Sequence, residues 1–327
     1  MTALAPPPDP GARTPLTSSA GGARVDRTFR AIAFAAGLLV LAVLALIAYS
    51  TTNKAWPAFT HQGFSFLTSR LWNPNRNQFG ALDFVYGTIL TAVIALVLAI
   101  PASLGIALFI TELAPKGLRT AVTYVVDLLA AIPSVVYGFW ALAVLTHPIA
   151  GVYGHVADTL GRVPILSRLF GGPATGASFM TAGLILAVMI TPIITSLSRE
   201  ALLTVSQDDK NGALAMGATR WEMLRVAVFP RVRSGLIGAS MLGLGRAMGE
   251  TIAVALLIGS SHQVTSHVFR QGDSMASLIV HNFPEATGLH HAALIGLGVV
   301  LFAITILVNV AARAIASRSS AMSGIGR

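Results

Sequence analysis

The chain has 327 residues, of which 54% are hydrophobic and only 11% are Asp, Glu, Lys or Arg. Because a soluble domain carries about 25% charged residues, this composition excludes an ordinary water-soluble fold and predicts a membrane protein. Aromatic residues make up 7% of the chain, and short alternating segments are missing, which argues against a barrel. The predicted fold class is therefore all-α and polytopic.

Six apolar segments are long enough to cross a bilayer, for which a helix needs about 20 residues. They are residues 31–49, 84–110, 121–145, 180–197, 236–258 and 292–312. The second, third and fourth contain Pro101, Pro133 and Pro192, which predict kinked helices that pack against other helices. Asp127 lies in the third segment, and its residue type assigns it no role.

These segments divide the chain into five regions. Residues 1–30 are rich in proline and predict a disordered tail, and 31–50 predict a first membrane helix that is retained rather than cleaved. The remaining regions are an outer segment at 51–82, a membrane core at 83–314 that contains a long loop at 199–233, and a tail at 315–327.

The basic residues predict the orientation of the chain. Segments 1–30, 112–119, 199–233 and 313–327 would lie on one side and hold fifteen Lys or Arg, whereas 51–82, 148–178 and 259–290 hold six. Because loops rich in Lys and Arg stay cytoplasmic, both termini are expected in the cytoplasm. The net charge of +9 is explained in this way without a nucleic-acid partner.

The loop at 199–233 predicts two short helices. Ser206 is a helix-start residue and Gly217 a preferred stop. Thr219 and Glu222 have the spacing of a capping box and begin a second helix, which Pro230 is expected to end.

Trp221, Leu224 and Val228 recur at three- and four-residue spacing along one face of this second helix. One interpretation is a surface on which a partner protein docks. The other is a helix that lies in the lipid interface, where Trp and Arg are common.

The run Ala213–Thr219, followed by Phe229-Pro230, resembles the EAA loop of ABC-importer permeases, with Gly217 and Pro230 at the family's separation and Asn211-Gly212-Ala213 in place of E-A-A. In that family, the loop inserts into a groove of the ATPase subunit. The resemblance implies an ATPase-coupling role for Asn211, Gly212, Ala213, Gly217, Thr219, Trp221, Glu222 and Pro230.

The fifth apolar segment carries two charges. Arg246 lies near its midpoint and Glu250 four residues further on, a spacing that places both on one helix face. Small residues at four-residue spacing, Ala239, Gly243 and Ala247, predict a face that another helix approaches closely. The pair is either a structural ion pair, or a site where the guanidinium binds an oxyanion and the carboxylate keeps the empty site near neutral.

The sequence from Gly243 to Thr251 resembles the phosphate-specific, PstC-type branch of ABC-importer permeases, as does Ile132–Gly138. The resemblance implies a MetI-like bundle of six membrane helices. It also implies a substrate path that includes Arg246, Glu250 and Thr251.

By this resemblance, the chain is a permease subunit in a bacterial inner membrane that imports phosphate by alternating access. The implied partners are a second homologous permease, a dimer of ATP-binding-cassette ATPases, an extracytoplasmic phosphate-binding protein and membrane lipid. The alternatives are a permease for sulfate or molybdate, a stand-alone secondary anion transporter or channel, and a membrane enzyme.

Nothing in the sequence predicts catalysis on this chain. A Walker A loop requires a Gly-Lys pair, and none of the three lysines follows a glycine. We therefore expect ATP and Mg²⁺ to bind a partner ATPase, and no cofactor to bind here. The eight histidines show no metal-ligand spacing, and we expect no metal site and no catalytic residues.

Overall fold

The computed structural model describes residues 20–323 except Ile165 and Gln263, with side chains described for residues 25–314. The described part of the chain divides into two units, residues 20–50 and 51–323. In the first unit, helix α1 begins at Ala20 and its apolar side chains are exposed over residues 25–46. The predicted disordered tail at 1–30 is therefore helical from residue 20 onward, and residues 1–19 lie outside the described part.

The all-α prediction is confirmed. In chain order, the helices are α1 Ala20–Gln62, α2 Ser65–Thr68, α3 Leu82–Leu108, α4 Lys116–Ala131, α5 Ser134–Trp140, α6 Thr146–Leu160, α7 Ser167–Phe170, α8 Phe179–Leu203, α9 Gln207–Ala215, α10 Arg220–Met223, α11 Phe229–Gly249, α12 Ile252–Leu257, α13 Met275–Asn282 and α14 Gly288–Ser323.

Wider π-helical segments at Phe109–Leu113, Ala141–Leu145 and Leu224–Val228 continue α3, α5 and α10. Two short strands, β1 (Trp72–Asn73) and β2 (Gln78–Phe79), pair antiparallel with Trp72 opposite Phe79.

Five helical stretches of the described chain are long and apolar enough to cross a membrane. They are Val25–Gln62, Leu82–Leu113, Ser134–Leu160, Phe179–Leu203 and Gly288–Ala314. The predicted fifth segment, 236–258, is present as two pieces, α11 and α12. With these, the helix count is consistent with the six predicted segments.

The predicted third segment, 121–145, is wrong in its position. Ile132 and Pro133 both have extended backbone angles before the first residue of α5, so the chain is interrupted there instead of kinked, and proline favours this conformation in the residue before it. The apolar stretch runs over Ser134–Leu160 instead. Asp127 lies on the preceding helix α4 with its side chain exposed. In contrast, Pro101 and Pro192 lie inside the continuous helices α3 and α8.

The core is formed where α3 packs on α8. A Cβ at Gly183 of α8 would lie 2.5 Å from Ile94 Cγ2 of α3, so the two backbones approach closely. Ser103 Oγ of α3 also donates a hydrogen bond to Thr191 O of α8 over 3.1 Å. This pair forms the centre against which α11 and α12 lie.

The last helix extends beyond the predicted boundary of the membrane core. Helix α14 continues from Gly288 to Ser323. The predicted tail at 315–327 is therefore helical over residues 315–323, while 324–327 lie outside the described residues.

Candidate functional site

One face of α11 packs tightly on α8. A Cβ at Gly243 would lie 2.6 Å from Ile194 Cδ1 of α8, and Ala239 and Ala247 on the same face are buried. The predicted close approach along the small residues is confirmed, because any side chain at position 243 would require Ile194 to shift.

The opposite face of α11 lines an open groove of about 1040 Å³. Its walls are Ile193, Ser234, Ile237, Gly238, Met241, Leu242, Gly245, Arg246, Ile306, Asn309, Val310 and Arg313, from α8, α11 and α14. The groove is largely apolar and has two guanidinium groups, one amide and one hydroxyl. Among these lining residues there is no Asp or Glu.

Asn309 and Arg313 on α14 were not singled out in the sequence. They belong to the groove because α14 crosses α11 at Gly245, where a Cβ would lie 3.9 Å from Asn309 Nδ2. Arg313 follows Asn309 by one helical turn, about 6 Å along the axis. Their spacing of four residues on one helix face was the signal available in the sequence.

Glu250 does not pair with Arg246, so the structural ion pair that the four-residue spacing suggested is not formed. Helix α11 ends at Gly249, and Glu250 has extended backbone angles (φ −72°, ψ 130°), so the helical four-residue relation no longer applies. The buried Glu250 carboxylate instead accepts a 3.4 Å hydrogen bond from Ala253 N at the start of α12. Among the residues described, no carboxylate lies within 4.0 Å of Arg246 as an ion-pair partner.

Each of the two charges lies at a helix end that favours its sign. Arg246 is in the last turn of α11, where the helix dipole attracts a cation, and Glu250 precedes α12, where the dipole attracts an anion. Because the helix is interrupted between them, each charge is stabilised by a helix end and not by the other charge. Arg246 therefore remains exposed to the groove.

Thr251 lies in the interruption itself. Its Oγ1 donates to Gly249 O over 3.3 Å, which closes the turn between the two helices. It is half-buried and is not among the residues that line the groove.

The loop at 199–233 has the two predicted helix starts. Ser206 Oγ accepts a hydrogen bond from Asp208 N at the start of α9. Thr219 and Glu222 form the complete capping box of α10. The backbone N–H and the hydroxyl of Thr219 both donate to the Glu222 carboxylate, and these bonds hold the pKa of Glu222 below its usual value. Gly217 joins the two helices with φ +87°, a conformation that favours glycine.

Pro230 does not end the second helix. Helix α10 passes through the π segment Leu224–Val228 directly into α11, and Pro230 lies in the first turn of α11. Proline is tolerated there because the first N–H groups of a helix have no partner within it. The loop is therefore continuous with the interrupted fifth segment.

The predicted apolar stripe of the second helix is divided. Trp221 is exposed, whereas Val228 is fully buried and Leu224 packs on buried neighbours within the same chain. The π segment adds a residue to its turn and changes which side chains share a face. The large apolar residues that the loop exposes are instead Leu203, Leu214, Met216, Trp221 and Val226, of which only Trp221 belongs to the predicted stripe.

The remaining coupling residues are placed around α9. Asn211 and Gly212 are exposed, and Ala213 is half-buried. Ala213 packs on a cluster of buried side chains that we call the basal cluster: Ala107, Leu202, Val205, Met223, Val228 and Val232. Because these come from α3, α8, the loop and α11, the loop is packed against the ends of three membrane helices.

Comparisons with known proteins agree with this architecture. Residues 103–321 match the family described as "Binding-protein-dependent transport system inner membrane component". A chain of a bacterial alginate ABC transporter, solved in complex with an alginate pentasaccharide-bound periplasmic protein, has a TM-score of 0.61 at 17% identity, covering 90% of this chain and 97% of that chain. At this identity the likeness shows the fold alone.

Curated relatives match nearly the whole chain. The phosphate transport system permease protein PstC of Xylella fastidiosa (strain Temecula1) is 44% identical over 315 residues, covering 94% of this chain and 97% of the relative. PstC of Mesorhizobium japonicum is 41% identical, covering 92% and 93% respectively, and PstC 2 of Mycobacterium tuberculosis is 39% identical, covering 90% and 92%. The chain therefore belongs to the family of inner-membrane components of binding-protein-dependent transport systems, as the resemblance in its sequence implied.

Proposed function

We propose that this chain is a permease subunit of an ATP-driven importer that moves inorganic phosphate into the cytoplasm. The observation that carries the proposal is the groove in which Arg246 and Arg313 face an apolar channel wall without a lining carboxylate. The printed names of relatives at 39–44% identity support phosphate as the solute.

The groove provides donors suited to an oxyanion. A guanidinium is planar and permanently charged, and it can donate two parallel hydrogen bonds to one phosphate. Arg246, the Asn309 amide and Arg313 form a series of donors along α11 and α14, so a phosphate that leaves one can be received by the next. The Glu250 carboxylate accepts a hydrogen bond from Ala253 N at the start of α12. Its role is therefore to maintain the helix interruption that places Arg246 at the groove.

The open apolar wall is the surface for the second permease. Leu242 and Val310 line the groove and are each 60% exposed in the single chain. A homologous permease packed here would bury them and close the groove into a path between two subunits. An extracytoplasmic phosphate-binding protein would deliver the solute to the outer end of this path.

The loop would be the contact with the ATPase dimer. Its exposed Met216, Trp221 and Val226 would provide apolar contacts, with ATP and Mg²⁺ bound on the ATPase chains and no cofactor on this one. This arrangement requires the loop in the cytoplasm, and with it both termini, as the excess of basic residues predicts. Closure of the ATPases would move the loop and the helices packed on it, which alternates access to the groove.

The test is ATP-dependent uptake of labelled phosphate by the purified complex in liposomes. Arg246→Gln keeps a polar side chain with an N–H donor, although a shorter one, and removes the charge. We expect it to reduce uptake about 10- to 100-fold, the scale of losing a hydrogen bond to a charged group, while the complex still co-purifies. Arg162→Gln, an exposed basic residue outside the groove, is the matched control and should transport normally.

Three outcomes contradict the proposal. Normal uptake by Arg246→Gln would remove the anion role of the groove. Uptake without ATP or without the ATPase chains would favour a secondary transporter or channel. Competition by sulfate or molybdate that is stronger than that by unlabelled phosphate would identify a permease for another oxyanion.

A further inference from the structure

The loop buries a lysine. Lys210 on α9 is 5% exposed, although Asp208 and Asn211 on the same short helix are exposed. Its Nζ lies 2.6 Å from Oε1 of Glu112, whose side chain is 15% exposed. These residues are 98 positions apart in the sequence, and their ion pair joins the loop to the end of α3.

Glu112 is presented by a local change in helix geometry. It lies in the π segment Phe109–Leu113 that continues α3, which ends with Ala114 N donating to Phe109 O, five residues back, over 2.8 Å. Insertions of this kind within α-helices are found frequently at functional sites. The guanidinium of Arg119 on α4 donates to Thr111 O beside it over 3.0 Å, which anchors the segment from the other side.

The residue before Lys210 makes a second connection. Asp209 forms an ion pair with Arg231 in the first turn of α11. Two consecutive residues of α9 are therefore joined to two different membrane helices, α3 and α11. Of these two pairs the one with Glu112 is the more buried, because the Asp209 and Arg231 side chains are 32% and 53% exposed.

The physical character of the buried pair distinguishes it from the apolar contacts around it. Burying two charges costs desolvation energy that their attraction offsets only when the geometry is good, so such a pair is weak evidence for stability. A short charge-assisted contact does, however, define distance and direction. The apolar side chains of the basal cluster have no such directional requirement.

We infer that the Lys210–Glu112 ion pair transmits displacement of the loop to α3, with Lys210 as a positioning residue for transport. The inference rests on the proposed docking of the loop on the ATPases. When the docked loop moves, α3 moves with it because the pair resists both separation and sliding. Since α3 packs on α8, and α8 contributes Ile193 to the groove, the displacement reaches the substrate path.

The test measures the ATP hydrolysed per phosphate imported by the complex in liposomes. Lys210→Gln and Glu112→Gln should each raise this ratio about tenfold, within the usual range of coupling between separate sites. The complex should still co-purify with its ATPases. The exchange Lys210→Glu with Glu112→Lys should restore most of the coupling, because the pair is re-formed with reversed polarity.

A matched control is Glu200→Gln, which removes an ion pair with Arg199 inside α8 that joins no two elements, and it should leave the ratio unchanged. A second measurement applies if single variants do not assemble. The chain has no cysteine, so Lys210→Cys with Glu112→Cys can be joined by a reversible bis-methanethiosulfonate linker. Coupling should be high when the linker is intact and low after reduction.

An unchanged ratio in both single variants, or an equal ratio before and after reduction of the linker, overturns the inference while the proposed function stands. Failure of the unmodified complex to import phosphate on ATP contradicts the proposed function, and the transmission role with it.

Discussion

Helices α8 and α11 lie side by side in the same bundle and differ in how they use their surfaces. Helix α8 is continuous over Phe179–Leu203, and it is buried between α3 on one side and α11 on the other. Helix α11 packs closely on α8 along its small-residue face, its opposite face lines the open groove beside α14, and it is interrupted after Gly249. The difference shows that close packing on one face allows Arg246 to lie on the other, because Gly243 and its neighbours hold α11 in place without it.

Of the substitutions that test this difference between α8 and α11, one on the packed face of α11 should have the largest effect on stability. Gly243→Val places a branched side chain where a Cβ would already lie 2.6 Å from Ile194 Cδ1. Overpacking of this kind costs about 1–3 kcal/mol, and we expect a lower thermal midpoint in detergent and weaker helix association.

The matched control is Gly105→Val on α3, since nothing lies within 4 Å of a Cβ there. Equal midpoints for the two variants would contradict the account of the packed face.

A substitution at the helix interruption after Gly249 should lower the stability less. Glu250→Ala removes the acceptor for Ala253 N, and loss of a helix-start acceptor costs about 0.5–2 kcal/mol. Glu250→Gln retains a side-chain oxygen at the same position, so we expect its thermal midpoint and phosphate uptake to stay close to those of the unmodified protein.

A result in which Glu250→Gln impairs uptake as strongly as Glu250→Ala would indicate that the negative charge, and not the capping oxygen, is required. That result would favour an ion pair between Glu250 and Arg246, which the structure does not contain among its described residues.

The smallest effect is expected in the loop, at an exposed helix start. The pKa of Glu222 is lowered by the hydrogen bonds from Thr219, so the capping box stabilises the loop above the ordinary Glu pKa of about 4.3. This contribution is lost as the pH falls through the lowered pKa of the folded protein. Amide hydrogen exchange at Glu222 N, which donates to Thr219 Oγ1, should quicken over that range relative to matched exposed amides. Thr219→Ala should remove the pH dependence.

Local chemistry explains what the sequence predicted well. The starts at Ser206 and Thr219 and the glycine junction at Gly217 depend on residues within four positions of each other, and capping patterns describe such contacts directly. The small face of α11 was equally predictable, because its periodicity alone defines a surface for close approach.

The errors arose where neighbours in space override local preference. Pro230 was expected to end a helix. Instead, the π segment before it continues directly into α11, and Val228 and Val232 are buried on either side of the proline. Glu250 was placed by helical periodicity on the face of Arg246, yet the helix ends one residue earlier. The exposure of Met216 and Val226 could not be predicted from the sequence, because it depends on which apolar residues the basal cluster buries.

The sequence alone determined that the chain is a helical membrane protein, how its basic residues are distributed, and where its loop helices begin, because composition and short-range capping need no knowledge of distant residues. Only the tertiary structure decided that Asn309 and Arg313 join Arg246 in one groove, that Glu250 serves α12, and that Lys210 meets Glu112 across 98 positions. Those contacts depend on the crossing of helices far apart in the chain, and crossings are set by how whole helix faces pack.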